Sequence, residues 1–370
     1  MKHAFIIFSF MVSCLASALA KDDPGEFSFR PCLPLNAAQR ERLHHLTTED
    51  PEAKALFEVL RREAEKRLDL KPHPLEVIHY EGRVNTDPQR IASVASLREM
   101  NDVSILFHYW QVTGDTATAE TLKRFIREWS ATYIPTGNDV NENKLLPIYT
   151  AYFSLRLEFE AGEREKIDLW IDALGALHAK AVAESKQFTN RYSKHLRLLA
   201  LFGLILDRPE WRALAMEGVK RFVQESLRAD GTSLDLERRD TLTYHTSSLR
   251  PPIELAVLAG EEGASLYTWT ASSGGSLKKS VDYVVPYADG TKTREEWRNS
   301  KVELDRKRAE AGLEAYRIGR LYEPKDALHL LEEASYFDPG LVPLVLKLQD
   351  SSAQRFGSWT MVIHAACREF

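Results

Sequence analysis

Three consecutive segments decide the fold: EREKIDLWIDALGALHAKAVAES at residues 163–185, SKHLRLLALFGLILD at 193–207 and PEWRALAMEGVKRFVQESLRADG at 209–231. In each segment apolar residues recur at three- and four-residue spacing, which is the period of a helix with one buried face. The links between the segments are short, so we expect neighbouring helices to pack as antiparallel pairs.

The same period covers most of the chain. It continues in AAQRERLHHL, AKALFEVLRREAEKRLDL, SVASLREMNDVSILFHYWQVTGD, TATAETLKRFIREWSATYI, KLLPIYTAYFSLRLEFEAG, PPIELAVLAGEEG, REEWRNSKVELDRKRAEAGLEAYRIG and PKDALHLLEEASYF. The strand candidates are two, VDYVVPYA, which Pro286 interrupts, and EVIHYEG. The sequence therefore predicts an all-α protein, as a helical solenoid or a toroid, without a fixed repeat period.

Composition limits the functional classes. The chain has 370 residues, of which 44% are hydrophobic and 28% charged, as in a globular protein with a sizeable core. The net charge is −5 and no long run of lysine or arginine occurs, so the composition gives no electrostatic indication of nucleic-acid binding. No segment after the N-terminus is apolar enough for a membrane span. We expect a single domain over residues 21–370; the oligomeric state stays open.

Residues 1–20, MKHAFIIFSFMVSCLASALA, have the layout of a secretory signal peptide, with one lysine, an apolar run and an A-x-A site. Cleavage after Ala20 predicts an exported protein, in the periplasm or secreted. The mature chain keeps two cysteines, Cys32 and Cys367. In an oxidising compartment they would pair or remain two free thiols, and both alternatives stay open.

Polar segments between helices offer the candidate site residues. In KQFTNRYSKH, residues 186–195, a helix beginning near Asn190 puts Arg191 and His195 one turn apart, and likewise Asn190 and Lys194. The start of a helix also favours an anionic ligand. The alternative is an ordinary polar first turn before a buried stripe.

In PTGNDVNENK, residues 135–144, Asn141 and Lys144 have the amide and ammonium groups that suit a sugar-binding groove. The alternative is a loop with a helix cap.

The segment RRDTLTYHTSSL, residues 238–249, follows an ADG turn. Arg238 and Arg239 precede Tyr244 by six and five residues, and neighbouring cations stabilise a phenolate. This pattern indicates either a tyrosine that transfers a proton or a surface network of charged side chains around a half-buried tyrosine. The chain has no HExxH, CxxC, GxSxG or P-loop motif, so we expect neither a metal nor a cofactor.

Together, TNRYSKHLRLLAL, RADGTSLDLERRDTLTYHTSSL, GGSLKKSVDYVVPYA and YWQVTGD resemble segments of the alginate-lyase domain family, over residues 75–300. Two positions depart from the family pattern. Arg191 stands where the mannuronate lyases have a histidine, and Glu237 stands where they have an arginine seven residues before the tyrosine. The chain is more similar to a divergent branch that acts on glucuronan or on several alginate block types.

The resemblance implies an α/α toroid, an incomplete barrel of antiparallel helix pairs. It also implies a polyuronate lyase that cleaves alginate or glucuronan by metal-independent β-elimination. The expected catalytic residues are Tyr244, Asn190, Arg238 and His195. The expected substrate-binding residues are Arg191, Arg239, His245, Lys144, Asn141 and Trp110.

Two alternatives to the lyase remain. One is a glycoside hydrolase that uses Glu142 with Asp235 or Glu237. The other is a non-catalytic helical protein that binds glycans.

Overall fold

A computed structural model describes residues 34–368, and most of them lie in α-helices. In chain order the helices are α1 Ala37–Glu49, α2 Pro51–Glu65, α3 Pro88–Leu97, α4 Glu99–Thr113, α5 Thr116–Thr132, α6 Asp139–Glu142, α7 Leu146–Leu155, α8 Ala161–Glu184, α9 Asn190–Ile205, α10 Pro209–Ser226, α11 Leu234–Arg239, α12 Leu242–Leu258, α13 Glu261–Thr268, α14 Leu277–Ala288, α15 Glu303–Glu310, α16 Leu328–Ala334, α17 Val342–Leu348 and α18 Trp359–Cys367. Within residues 34–368 the strand-like pairings are two isolated bridges, Leu227 with Ser233 and Glu295 with Leu321.

The helices form two layers around one core. Helices α4, α7, α9 and α12 bury most of their residues, whereas α2, α8 and α10 bury one face and expose the other. Contacts lead from α4 through α7, α9, α12, α16, α18 and α1 back to α4. The outer helices α8 and α10 both pack on α9, and α2 packs on α4. The prediction of an all-α toroid is confirmed.

Local signals set the helix ends. Gly114 ends α4 in the left-handed region, at φ 63°, where glycine has no steric cost. The next residue, Asp115, caps α5, because its Oδ2 accepts the backbone N–H of Thr118 at 2.7 Å. These two residues make a sharp link between an inner helix and its outer partner.

The C-terminal helix returns to the beginning of the described chain. Nε of Arg42 in α1 donates to the carbonyl of Ala366 at 2.7 Å. The ring of Trp359 stacks on Phe57, and its Nε1 donates to Nδ1 of His108 at 3.0 Å. These contacts close the circuit.

Several local predictions are corrected. The helix predicted over residues 93–114 is divided at Arg98 into α3 and α4. VDYVVPYA is not a strand but lies in α14, where Pro286 comes near the end, and EVIHYEG is irregular. Only Glu303–Glu310 of the helix predicted over residues 294–319 is α-helical.

The segment around Tyr244 is helical rather than a loop. Helix α12 begins at Leu242, because Oγ1 of Thr241 accepts the N–H of Thr243. It continues through Pro251 and Pro252, which the sequence pattern had placed at a helix start.

The signal peptide and Cys32 lie outside the described residues, so cleavage and disulfide pairing stay predictions; Cys367 is buried. Among residues 34–368 no helix is both long and apolar enough to cross a membrane.

Candidate active site

The short helix α11 joins two groups of polar residues. Near its beginning, Oδ2 of Asp235 accepts the backbone N–H of Asn190 at 2.7 Å and so caps α9 from outside. At its end, Arg239 reaches Tyr244 in the first turn of α12. Arg239 lies four positions after Asp235, which is a rise of about 6 Å in a helix. Helix α11 therefore connects the start of α9 with the start of α12.

Asp235 is a buried carboxyl, 1% exposed. Burial raises its pKa to about 6, and the charges of Arg239, Lys194 and Arg238 oppose that increase. The carboxyl thus lies among three cations.

Tyr244 is enclosed by cationic and aromatic side chains. The guanidinium carbon of Arg239 lies 3.8 Å from the centroid of its ring, and Trp297 meets the ring edge-on at 5.8 Å. Asp305 holds this arginine, with Oδ1 2.5 Å from Nη1. The guanidinium is therefore fixed on the ring face rather than free to follow a ligand.

Two residues that the sequence analysis missed lie at the hydroxyl of Tyr244. The hydroxyl of Tyr316 is 3.3 Å away, and Nη1 of Arg308 is 3.5 Å from the Tyr244 oxygen and 2.7 Å from the Tyr316 oxygen. Burial raises the pKa of Tyr316, so this phenol keeps its proton. Because Arg308 donates to its oxygen, Tyr316 can donate its own proton to Tyr244.

The two arginines of α11 differ in their partners. Arg238 is half-buried, and its guanidinium makes no hydrogen bond or close ion pair with residues 34–368, unlike that of Arg239. The side-chain amide of Asn190, which is 6% exposed, likewise has no hydrogen bond to the described chain. An amide and a guanidinium therefore remain available for a ligand.

Arg191 is already paired. Its Nε donates to Oδ1 of Asp139 at 2.8 Å, and Nη1 lies 3.6 Å from Glu81. Half of its side chain is exposed, so it lies at the rim of the site with its charge largely neutralised.

His195 is the last residue of a buried chain of acid and imidazole groups. Its Nδ1 lies 2.6 Å from Nδ1 of His178, whose Nε2 is 2.7 Å from Oε2 of Glu142. Burial and the neighbouring His178 lower the pKa of His195 to about 4, so the ring is neutral at pH 7.

Glu142, His178 and His195 form one connected series of contacts. Burial would raise the pKa of Glu142, but the hydrogen bond from His178 and the N–H groups of Thr136 and Gly137 lower it overall. Oε2 of Glu142 therefore faces Nε2 of His178 at 2.7 Å as a charged group, and the Nδ1 atoms of His178 and His195 share one hydrogen bond. Nε2 of His195 lies 3.9 Å from Oδ1 of Asp139.

Two residues expected to bind substrate have buried side chains. His245 is 0% exposed, with Nδ1 2.8 Å from the hydroxyl of Ser233 and Nε2 3.1 Å from the carbonyl of Ser280. Trp110 is 4% exposed and packs on Phe107 in the core. Neither ring offers a surface to a sugar, because both belong to the apolar periodicity of their helices.

Asn141 and Lys144 act on a neighbouring loop. Nδ2 of Asn141 donates to the carbonyl of Ile78 at 2.7 Å, and its Oδ1 accepts the N–H of Glu81 at 2.9 Å. These bonds hold Tyr80, whose ring centroid is 4.3 Å from the exposed ammonium of Lys144. Burial would raise the pKa of Tyr80, but Lys144 and Arg90 lower it overall.

The carboxylates of the hydrolase alternative are not free to act as a pair. Glu142 is 0% exposed, and its Oε1 accepts from Tyr133, Thr136 and Gly137. Glu237 is paired with Arg228 at 2.8 Å on the surface. Among the described residues no group of three or more histidine, cysteine or acidic side chains could hold a metal ion.

A sequence model of the alginate lyase family matches residues 45–297. The chain belongs to the alginate lyase family. It is therefore a polysaccharide lyase. Arg308 and Tyr316 lie beyond the matched range.

Solved alginate lyases share the fold. An alginate lyase from Bacteroides ovatus superimposes with a TM-score of 0.61 at 14% identity, covering 90% of this chain and 98% of its own. Alginate lyase A1-III from Sphingomonas species A1 gives 0.56 at 13% identity, covering 85% and 92%. A tyrosine-to-phenylalanine variant of A1-III complexed with tetrasaccharide gives 0.53 at 14% identity, covering 88% and 86%. A search of curated proteins found no match.

Proposed function

We propose that this lyase cleaves a polyuronate, alginate or glucuronan, by metal-independent β-elimination, and that it does so after export, in the periplasm or outside the cell. One observation supports the reaction most strongly. Tyr244 lies beside two guanidinium groups and a second phenol, in a family whose A1-III member has been crystallised with a tetrasaccharide.

Elimination sets three tasks. The carboxylate next to C5 must be neutralised, the C5 proton must be removed, and the O4 leaving group must receive a proton. The electron pair of the C5–H bond forms the C4=C5 double bond while the C4–O4 bond breaks. Groups that bind the carboxylate stabilise the enolate that develops during this step.

Tyr244 is the proposed proton-transferring residue. Arg239 on its ring face and Arg308 near its oxygen stabilise negative charge on the phenolate, and Tyr316 can donate a hydrogen bond to it. When the C5 proton and O4 lie on the same face of the sugar, the phenolate can accept the first proton and return it to O4.

Asn190 and Arg238 are the proposed neutralisers of the carboxylate, because their amide and guanidinium groups have no partners in residues 34–368. Arg191 and Arg239 already bind aspartates, so they contribute charge rather than a free binding site. The neutral ring of His195 is the alternative acceptor for a C5 proton on the opposite face.

A substrate panel tests the proposal. The purified mature protein is incubated with alginate, glucuronan and the same polymers after reduction of their carboxyl groups, with and without a chelator. We expect ultraviolet-absorbing unsaturated ends from an acidic polymer, none from its reduced form, and no effect of the chelator. Absence of unsaturated product from every polyuronate would refute the proposed substrate class.

A further inference from the structure

Lys194 is a half-buried lysine whose ammonium forms no hydrogen bond in the described part of the chain. It lies one turn after Asn190 in α9, and its ammonium makes no hydrogen bond or close ion pair with residues 34–368. Ammonium groups rarely leave water unless an acceptor is present. The missing acceptor therefore requires an explanation.

The charges around Lys194 are mostly positive. Burial lowers its pKa to about 8; Asp139 in α6 opposes this, while Arg197, Lys144 and Arg191 strengthen it. Asp235 in α11 also feels the Lys194 charge, but its own carboxyl accepts the N–H of Asn190 and its pKa is raised to about 6 by burial. Arg191 is paired with Asp139 and Arg197 with Glu254, so the charge that a bound anion would balance is that of Lys194 itself.

We propose that Lys194, with Asn190 and Arg238, binds the carboxylate of the uronic acid at the cleavage site. The proposal rests on the proposed function and adds a residue to it. Asn190 and Lys194 project from successive turns of α9, and Arg238 comes from α11, which is bonded to α9 through Asp235. The two helices therefore offer an amide, an ammonium and a guanidinium to one carboxylate, and none of the three forms a hydrogen bond or close ion pair within residues 34–368.

The direction of the pH dependence separates this role from that of a base. A carboxylate-binding lysine must be protonated, so kcat/KM should fall as the pH rises through about 8. A lysine that removes the C5 proton must be neutral, so kcat/KM should rise through the same range.

The experiment measures kcat/KM of the full mature chain on its best polyuronate from about pH 6 to about pH 10. The wild type should lose activity above about pH 8. Lys194→Arg keeps the charge and does not titrate in this range, so it should abolish that fall. Lys194→Met should reduce kcat/KM by roughly tenfold to hundredfold at pH 7, mainly through KM.

Lys220→Met is the matched control, because Lys220 is exposed on the outer helix α10 and should leave the profile unchanged. Equilibrium binding of a saturated oligouronate to the same variants gives a second readout. A wild type that cleaves polyuronates while the Lys194 variants keep its pH profile and its affinity would overturn the role of Lys194 alone. If the protein does not cleave polyuronates but binds them in a way that depends on pH and on Lys194, only the proposed reaction is overturned. If it neither cleaves nor binds them, the proposed reaction and the role of Lys194 are both overturned.

Discussion

Replacing Tyr244 with phenylalanine should separate catalysis from stability. The change removes one hydroxyl, whose contacts with Tyr316 and Arg308 are long, at 3.3 and 3.5 Å. Such contacts contribute about 1 kcal/mol or less to the fold. The ring keeps its packing against Arg239 and Trp297, so the midpoint of urea unfolding should change little.

The effect on turnover should be far larger. A positioned acid–base group contributes about 10²- to 10⁴-fold, so kcat should fall by at least about 10² in Tyr244→Phe. That fall corresponds to roughly 3 kcal/mol of activation free energy or more. The rate is measured as the appearance of unsaturated product in the ultraviolet, beside an unfolding curve for each variant.

Tyr316→Phe is the matched control for this prediction. It removes a second phenolic hydroxyl from the same cluster and leaves Nη1 of Arg308 without its 2.7 Å acceptor. Stability should therefore fall at least as much as in Tyr244→Phe, while activity falls only by about tenfold, because Tyr316 acts on the phenolate indirectly. Turnover of Tyr244→Phe within about threefold of wild type, or a larger loss in Tyr316→Phe, would refute the assignment.

Three further predictions concern the groups around the site. Asp305→Asn should weaken the hold on Arg239 and lower kcat by about tenfold with a small change in KM, and an unchanged kcat in steady-state assays would contradict this role. Glu142→Gln removes the carboxylate charge beside Nε2 of His178 and should redistribute the protons of the His178–His195 pair, which imidazole nitrogen chemical shifts report; unaltered shifts would disprove the chain of contacts. The pKa values of His195 and His245 are lowered from 6.5 to about 4, so between these pH values the unfolded chain binds more protons than the folded protein. The free energy of unfolding should therefore decline as the pH falls from 6.5 towards 4, by roughly 3 kcal/mol per histidine. Urea unfolding at several pH values should show a weaker pH dependence of this free energy in His245→Asn, and an equal dependence would contradict the assignment.

The sequence predicted the helical architecture because helix periodicity is a local signal. The start of α9 at Asn190 was predicted, since the polar segment before it gives way to the buried stripe from Leu196 onward. The proline pair at 251–252 was misleading, because a cap at Thr241 begins the helix earlier and tertiary packing keeps it continuous. VDYVVPYA was ambiguous because a short apolar run fits a strand or a helix equally well.

The candidate site was predictable only where its members are close in sequence. Tyr244 and the two arginines stand together after one turn, whereas Arg308 and Tyr316 come from a segment more than sixty residues later. No local pattern indicates that they meet Tyr244. The sequence also could not show that Arg239 is paired and Arg238 is not, because the partner of Arg239 is Asp305, which is distant in sequence.

The most direct test of the central claim follows the fate of water during cleavage. The protein is incubated with a polyuronate in water enriched in oxygen-18, and the oligosaccharides are analysed by mass spectrometry. Elimination predicts unsaturated products that contain no new oxygen from water, because the C4–O4 bond breaks without hydrolysis. Cleavage that adds one water molecule per broken bond, with the heavy oxygen on one of the two new ends and no double bond, would contradict the account.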